Sequence, residues 1–268
     1  KKMGEYFILH FNAIGEQTEL YTINRKNERV TLIVEGFTLK MYVDAEKVSN
    51  INAFAKACPL KITVDSSDMP LRFQKRIVSE FDELHDFYEF QAKSSFQVKK
   101  FIEYCRARFV NPYDANITSN MAFFADKGLS GGGWFRTSIN YEQPESFKFD
   151  GVTYPSIIGR VPYEDITFFD CEDIPPLWML TFDLELLGTL MPDGTVKYST
   201  EGLDPIIMIS SILTYYDGSN ITRTKYLHCY REINDIEGVT VVQCDDERDL
   251  FRVWQHFMLK LNPDILSG

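Results

Sequence analysis

The stretch PLWMLTFDLELLG, residues 176–188, sets two carboxylates, Asp183 and Glu185, among leucines, a phenylalanine and a threonine. A mostly apolar run of this length, closed by glycine, reads as a strand long enough to be central in a sheet. Side chains alternate along a strand, so Asp183 and Glu185 point to one face. Two like charges side by side on a sheet face repel, and they are costly unless solvated, protonated or bridged by a cation. Divalent cations, Mg²⁺ or Mn²⁺ in a pair, answer that repulsion; such a pair holds a phosphodiester, activates a water and stabilises the leaving oxygen. Asp183 and Glu185 are therefore the candidate catalytic and metal-ligating residues. The plainer alternative is a strand that shows two acids to water. A full two-metal centre needs more acids than the sequence clearly supplies.

Downstream the pattern is regular. MPDGTV (191–196) is a turn with D-G at its tip. DPIIMISSILTYYD (204–217) is a second long strand, with Pro205 at its start, where the missing N–H costs least. TRTKYLHCYRE (222–232) is a third strand and GVTVVQCD (238–245) a short fourth. DDERDLFRVWQHFMLKL (245–261) is a helix with an acidic first turn and an apolar stripe of Leu250, Val253, Trp254, Phe257 and Met258. PDILSG (263–268) starts a further strand. Strands on hairpin-scale links, then a helix that must cover one sheet face, open a mixed-sheet α/β fold of the RNase H type. Because the last strand begins at the final residues, the sheet is expected to be incomplete.

Upstream, EYFILHF (5–11), ELYTI (19–23) and VTLIV (30–34) read as strands, and Gly36 marks a bend before TLKMYV. Residues 44–57 carry helical spacing, with Asp44 as cap. KITV (61–64) is a strand candidate, and 71–93 is ambiguous between strand and helix. SSFQVKKFIEYCRARF (94–109) is an amphipathic helix with Phe96, Val98, Phe101, Ile102 and Cys105 on one side, after serine caps. Residues 116–135 read as a short helix, a glycine stop and a strand holding Trp134 and Phe135. The fold class is mixed α/β and α+β: a mixed-sheet N-terminal domain over 1–136, a connector over 137–175 touching both domains, and an incomplete RNase H-like domain over 176–268.

Composition narrows the function. No run approaches a membrane span, and the first residues are too short and too charged for a secretory signal. The five cysteines lack CxxC spacing and suit reduced thiols. The net charge of −11 is unevenly spread. Residues 171–268 carry seven Lys and Arg against sixteen Asp and Glu, whereas 1–110 carry seventeen against fifteen. An acidic C-terminal part fits a site where metal rather than lysine meets phosphate, and equally a solubilising surface. SGGGWF (130–135) lacks the G-K-[ST] of a phosphate loop, the four histidines form no zinc pattern, and no G-x-S-x-G elbow is present. The basic cluster KKFIEYCRARF (99–109) is either a solvated helix face or a contact to a nucleic-acid backbone.

FDLELLG followed by LDPIIMIS resembles the first exonuclease motif of family B DNA polymerases, FD-[IV]-E and then DP-[IV]-[IV]-x-I-[SA]. ERDLFRVWQHFMLKLNPDILSG resembles the run that leads into the second motif. VEGFTLKMYV resembles the family's I-x-G-F-x-P-Y-F-Y-V, and ADKGLSGGGWF its segment ending in G-x-x-W. The likeness spans most of 20–268, with Leu184 for the usual Ile, Leu39 where Pro is common and Met41 for an aromatic. It implies that Asp183 and Glu185 bind the two metals, Mg²⁺ or Mn²⁺, of a 3′→5′ proofreading exonuclease. The Asn and Asp of the second motif, the Tyr and Asp of the third, and the polymerase palm are expected beyond Gly268. The parent would extend a DNA primer-template with dNTPs, associate with the rest of the polymerase and a processivity factor, and act in the nucleus or at a cytoplasmic viral replication site. A stand-alone exonuclease and a vestigial, non-catalytic polymerase scaffold are the alternatives.

Overall fold

A computed structural model describes residues 2–60, 72–75, 85–129, 131–141, 145–149, 152–198 and 204–268. The strand expected at 61–64 lies outside the described residues. The chain divides into two compact units, Lys1–Glu172 and Asp173–Gly268.

The first unit opens with β1 (Lys2–Ile14), β2 (Gln17–Asn24) and β3 (Arg29–Glu35), an antiparallel meander of the expected runs. Gly36, at φ +89°, turns the chain into β4 (Leu39–Asp44). The helix expected over 44–57 is two pieces. Asp44 caps only a 3₁₀ turn, Ala45–Lys47, and Asn50 accepts from the Ala53 amide to start α1 (Ile51–Ala57) afresh. Each cap residue ends one hydrogen-bonding pattern and begins another, so two caps six residues apart break one helix into two. Then come β5 (Arg72–Lys75), β6 (His85–Ala92), α2 (Ser95–Arg106) and β7 (Pro112–Tyr113). The four strands order as β5-β6-β4-β7, the antiparallel sheet of a βαββαβ unit. Its core holds Met41, Val43, Phe90 and Phe101, all fully buried. Phe96 departs from the expected apolar side of α2 and is exposed, with the Lys100 ammonium over its ring.

Next follow α3 (Ser119–Asp126), β8 (Trp134–Tyr141), β9 (Glu145–Phe149), β10 (Val152–Pro162) and β11 (Thr167–Phe168). Residues 137–175, expected as a connector, thus supply strands to the first sheet, ordered β11-β8-β1-β2-β3-β10-β9. Their alternation is broken by Pro155, Gly159 and Pro162, which hides it in the sequence. Gly159 is needed where it stands: a Cβ there would meet Leu32 Cδ2 at 3.0 Å. A further pairing of β8 with β10 closes five of these strands into a barrel around Leu20, Leu32, Phe135 and Val161.

The second unit contains β12 (Leu177–Leu186), β13 (Thr189–Leu190), β14 (Val196–Lys197), β15 (Ile206–Tyr216), β16 (Ile221–Cys229), β17 (Val239–Gln243), α4 (Glu247–Leu261) and β18 (Ile265–Ser267). Its five-stranded sheet runs β17-β16-β15-β12-β18. The pairs β12–β15 and β15–β16 are antiparallel, while β16–β17 and β12–β18 are parallel. Long hairpin strands plus a helix-linked parallel strand give the mixed sheet that the sequence pattern predicts. The helix α4 covers one face: Leu250 is fully buried with Ile209, and Trp254 packs on Phe182 at 5.1 Å between ring centroids. Burial of each such side chain contributes about 1.5–3 kcal/mol. No helix among the described residues is long and apolar enough to cross a membrane.

Candidate metal-binding strand

The central strand β12 places both candidate acids. Its even positions face α4, since Leu180 is fully buried, Phe182 meets Trp254, and Ser211, opposite Phe182, accepts from Trp254 Nε1 at 3.3 Å. Its odd positions therefore look away from the helix. Asp183 pairs with Ser210 and Glu185 with Met208, and the register shifts only after Glu185. The two carboxylates thus share one face, two residues apart on regular strand. That face is open around them, where Thr181, Asp183, Glu185 and Ser210 are all exposed. Asp183 Oδ1 accepts from the Leu184 amide at 3.1 Å, which leaves Oδ2 and both Glu185 oxygens toward solvent. Hydration relieves the repulsion between the two charges here, and it leaves hard oxygen donors available to a divalent cation.

Two carboxylates make a partial donor set. Among the described residues no three His, Cys, Asp or Glu side chains group closely enough to hold a metal ion. The remaining thiols and imidazole of this sheet offer no substitute. Burial pushes the Cys229 and Cys244 thiols up, which keeps them protonated and unsuited as nucleophiles.

The parallel strand β18 fixes the other side of β12. The helix α4 ends on Asn262 in the left-handed conformation, φ 45°, its N–H bonded to Met258 O. Pro263 follows, and Asp264 then clasps Trp178 twice: its carboxylate accepts from the Trp178 amide at 2.8 Å and its own amide donates to Trp178 O at 2.8 Å. This clasp sets the register Met179↔Ile265 through Thr181↔Ser267, so β18 runs toward the Asp183 end of β12. At the opposite end of α4, Glu247 accepts from the Ile206 amide at 2.7 Å and ties the helix start to β15. Neither role is legible from residue type alone; the Asn-Pro-Asp run after a helix is the signal for the first. Asp264→Ala is expected to cost about 1 kcal/mol and to speed hydrogen exchange at the β12–β18 amides, with Asp264→Asn milder because it keeps an acceptor. Unchanged exchange in Asp264→Ala would remove the clasp from the account.

His228 lies on the α4 face, 1% exposed, its ring 4.9 Å from that of Phe257 and its Nδ1 without a partner. Burial lowers its affinity for a proton below that of an ordinary imidazole. The unfolded chain therefore binds more protons than the folded one once the pH falls to about 6.5. Stability contributed by neutral His228 is whole above that pH and is lost as pH falls toward the depressed folded value. Denaturant midpoints measured from about pH 7.5 to 5 should decline in the native chain and flatten in His228→Gln. Parallel declines in both would assign the loss to other groups.

Comparison with known proteins places this sheet. A family model for the exonuclease domain of DNA polymerase family B matches residues 110–268. The chain belongs to DNA polymerase family B. The DNA polymerase delta catalytic subunit of Plasmodium falciparum is 31% identical over 160 residues, covering 58% of this chain and 14% of that protein. The Dictyostelium discoideum delta catalytic subunit is 29% identical over 158 residues, covering 58% of this chain and 13% of that one. The chain thus spans about one seventh of these curated relatives. In structure, the family B DNA polymerase of Pyrobaculum calidifontis superposes with a TM-score of 0.58 at 17% identity, over 98% of this chain and 30% of that one. The likeness extends through both units and supports a family B fold of N-terminal region plus exonuclease sheet.

Proposed function

We propose that this chain is the N-terminal and proofreading part of a replicative DNA polymerase, with Asp183 and Glu185 as metal-ligating, catalytic carboxylates of a 3′→5′ exonuclease. One observation carries the reading: two like charges stand on the same open face of the central strand, inside the residues matched to the family's exonuclease domain. The domain division proposed is an N-terminal region ahead of an exonuclease unit that opens at β12. Divalent cations, Mg²⁺ or Mn²⁺, would supply Lewis acidity and an activated water when bound. Asp183 and Glu185 would hold them and fix their distance from the sheet, while α4 and its apolar stripe keep β12 from flexing. The substrates proposed for the whole polymerase are primer-template DNA and dNTPs, with the remainder of the polymerase and a processivity factor as partners. The proposed location is the nucleus, in keeping with eukaryotic delta relatives, or a cytoplasmic replication site for a viral protein.

The scaffold alternative is disfavoured because both acids are present and solvent-accessible. Since two carboxylates alone bind a metal pair poorly, the purified 268-residue chain is expected to release almost no nucleotide from a 3′-labelled single strand with Mn²⁺. Robust turnover that Asp183→Ala abolishes would show instead that these residues already complete a nuclease.

A further inference from the structure

The strand β17, VTVVQ, ends the five-stranded sheet of the second unit: it pairs in parallel with β16 and with no other strand among the described residues. It has none of the devices that blunt a sheet edge, since it holds no Pro and no charge and keeps an unbroken register from Lys225↔Val239 to Cys229↔Gln243. By contrast β5 and β9, each the end of a sheet in the first unit, carry Arg72, Lys75 and Lys148. The Cys244 amide donates to Cys229 O at 2.7 Å. Backbone groups alternate along such a ladder, so the amides of Val242 and Thr240 face β16, while those of Val241 and Gln243 point out of the sheet. The Val239 amide is used in the turn before the strand, on Ile236 O at 3.1 Å. Outward amides at Val241 and Gln243, with the carbonyls of Val239, Val241 and Gln243, form a ladder for one more strand. Charge around this edge is one-sided. Residues 231–249 hold seven Asp and Glu against two Arg. Because β16 and β17 are parallel, the loop 230–238 returns along the length of β17, and it carries Glu232, Asp235 and Glu237, all exposed. Gln243 Nε2 donates to Arg231 O at 3.3 Å and ties the start of this loop to the far end of the strand. Asp245 and Asp246, also exposed, follow β17 directly.

We propose that β17 receives an extended, basic segment of a partner protein, which adds to the sheet as a further strand and sets its Lys or Arg side chains against these acids. Main-chain hydrogen bonds hold such a segment, and the charges select it. A second copy of this chain is the less suitable occupant, because pairing β17 with itself would bring two acidic loops together. Nucleic acid is disfavoured by the same charge. The proposal does not depend on Asp183 or Glu185, since β15 and β16 separate β17 from β12.

The test is fluorescence anisotropy of the 268-residue chain with a labelled peptide of alternating Val and Thr, as long as β17 and closed by lysines at both ends. Val241→Pro removes one outward donor and leaves the ladder to β16 intact. It should weaken binding about tenfold while thermal stability stays near native. Asp235→Lys/Asp245→Lys should also weaken binding about tenfold, and should instead take up a glutamate-ended peptide of the same core. In native-state hydrogen exchange the lysine-ended peptide should slow the Val241 and Gln243 amides and leave those of Thr240 and Val242 unchanged. No binding to the native chain, or native affinity in Asp235→Lys/Asp245→Lys or in a folded Val241→Pro, would overturn the proposal. So would equal binding of a peptide with glycine in place of its Val and Thr, which would reduce the contact to charge alone. A dimer in sedimentation that Val241→Pro dissociates would also overturn it, by assigning the edge to a second copy.

Discussion

In a polymerase that contains this chain, Asp183→Ala with Glu185→Ala is expected to lower 3′→5′ hydrolysis by a factor on the order of 10³ or more, with primer extension unchanged. Metal stabilisation of the developing charge is worth several kcal/mol, and each ~1.4 kcal/mol is tenfold in rate. Removing one acid of a pair that acts together should cost nearly as much as removing both. The fold should tolerate the change: both side chains are exposed, they lie on the face away from α4, and their loss removes like-charge repulsion. Each single variant, assayed beside the double, checks this. A double variant that still removes mismatched 3′ ends at the native rate would show that hydrolysis does not use these acids.

The second large effect is on stability. Phe123 is fully buried in α3 and its ring lies 5.2 Å from Phe11, 5.3 Å from Phe37 and 5.6 Å from Tyr163. Phe37 packs against both the barrel core and the core of the βαββαβ sheet, so Phe123 braces a junction as well as a core. Phe123→Ala is expected to cost about 3–5 kcal/mol, a fall in melting temperature on the order of 10 °C. Phe124→Ala, at a half-buried position that meets Phe11 and Phe123, should cost clearly less. Equal effects of the two, read by thermal denaturation, would contradict the bracing role of Phe123.

The second unit was the more legible half of the fold. Its strands are long and punctuated by turn residues such as Asp193-Gly194, and its helix has an acidic cap, an apolar stripe and an Asn-Pro stop, so local chemistry and tertiary packing agree. The first unit was legible in its opening meander and in α2, and less so elsewhere. The capping residue Asn50 sits within an apparently continuous helical pattern, and β10 carries a glycine set by close approach to Leu32, a constraint that arises only between distant strands. Phe96 fits the apolar spacing of α2 but stays largely exposed, with only the Lys100 ammonium over its ring, and spacing cannot distinguish a buried ring from an exposed one. The candidate acids could be found because strand periodicity alone puts Asp183 and Glu185 on one face. The clasp of Asp264 on Trp178 left only the Asn-Pro-Asp run as a signal and no hint of its partner, since it joins residues far apart in sequence through a backbone amide.

Asp183 and Glu185 are proposed to receive a divalent cation together. Paramagnetic broadening by Mn²⁺, followed residue by residue in the NMR spectrum of the 268-residue chain, tests it most directly. Broadening is expected to centre on Asp183, Glu185 and their cross-strand neighbours Ser210 and Met208, to be reversed by excess Mg²⁺ and to be absent from Asp183→Ala/Glu185→Ala. Broadening that bypasses β12, or that persists unchanged in the double variant, would contradict it.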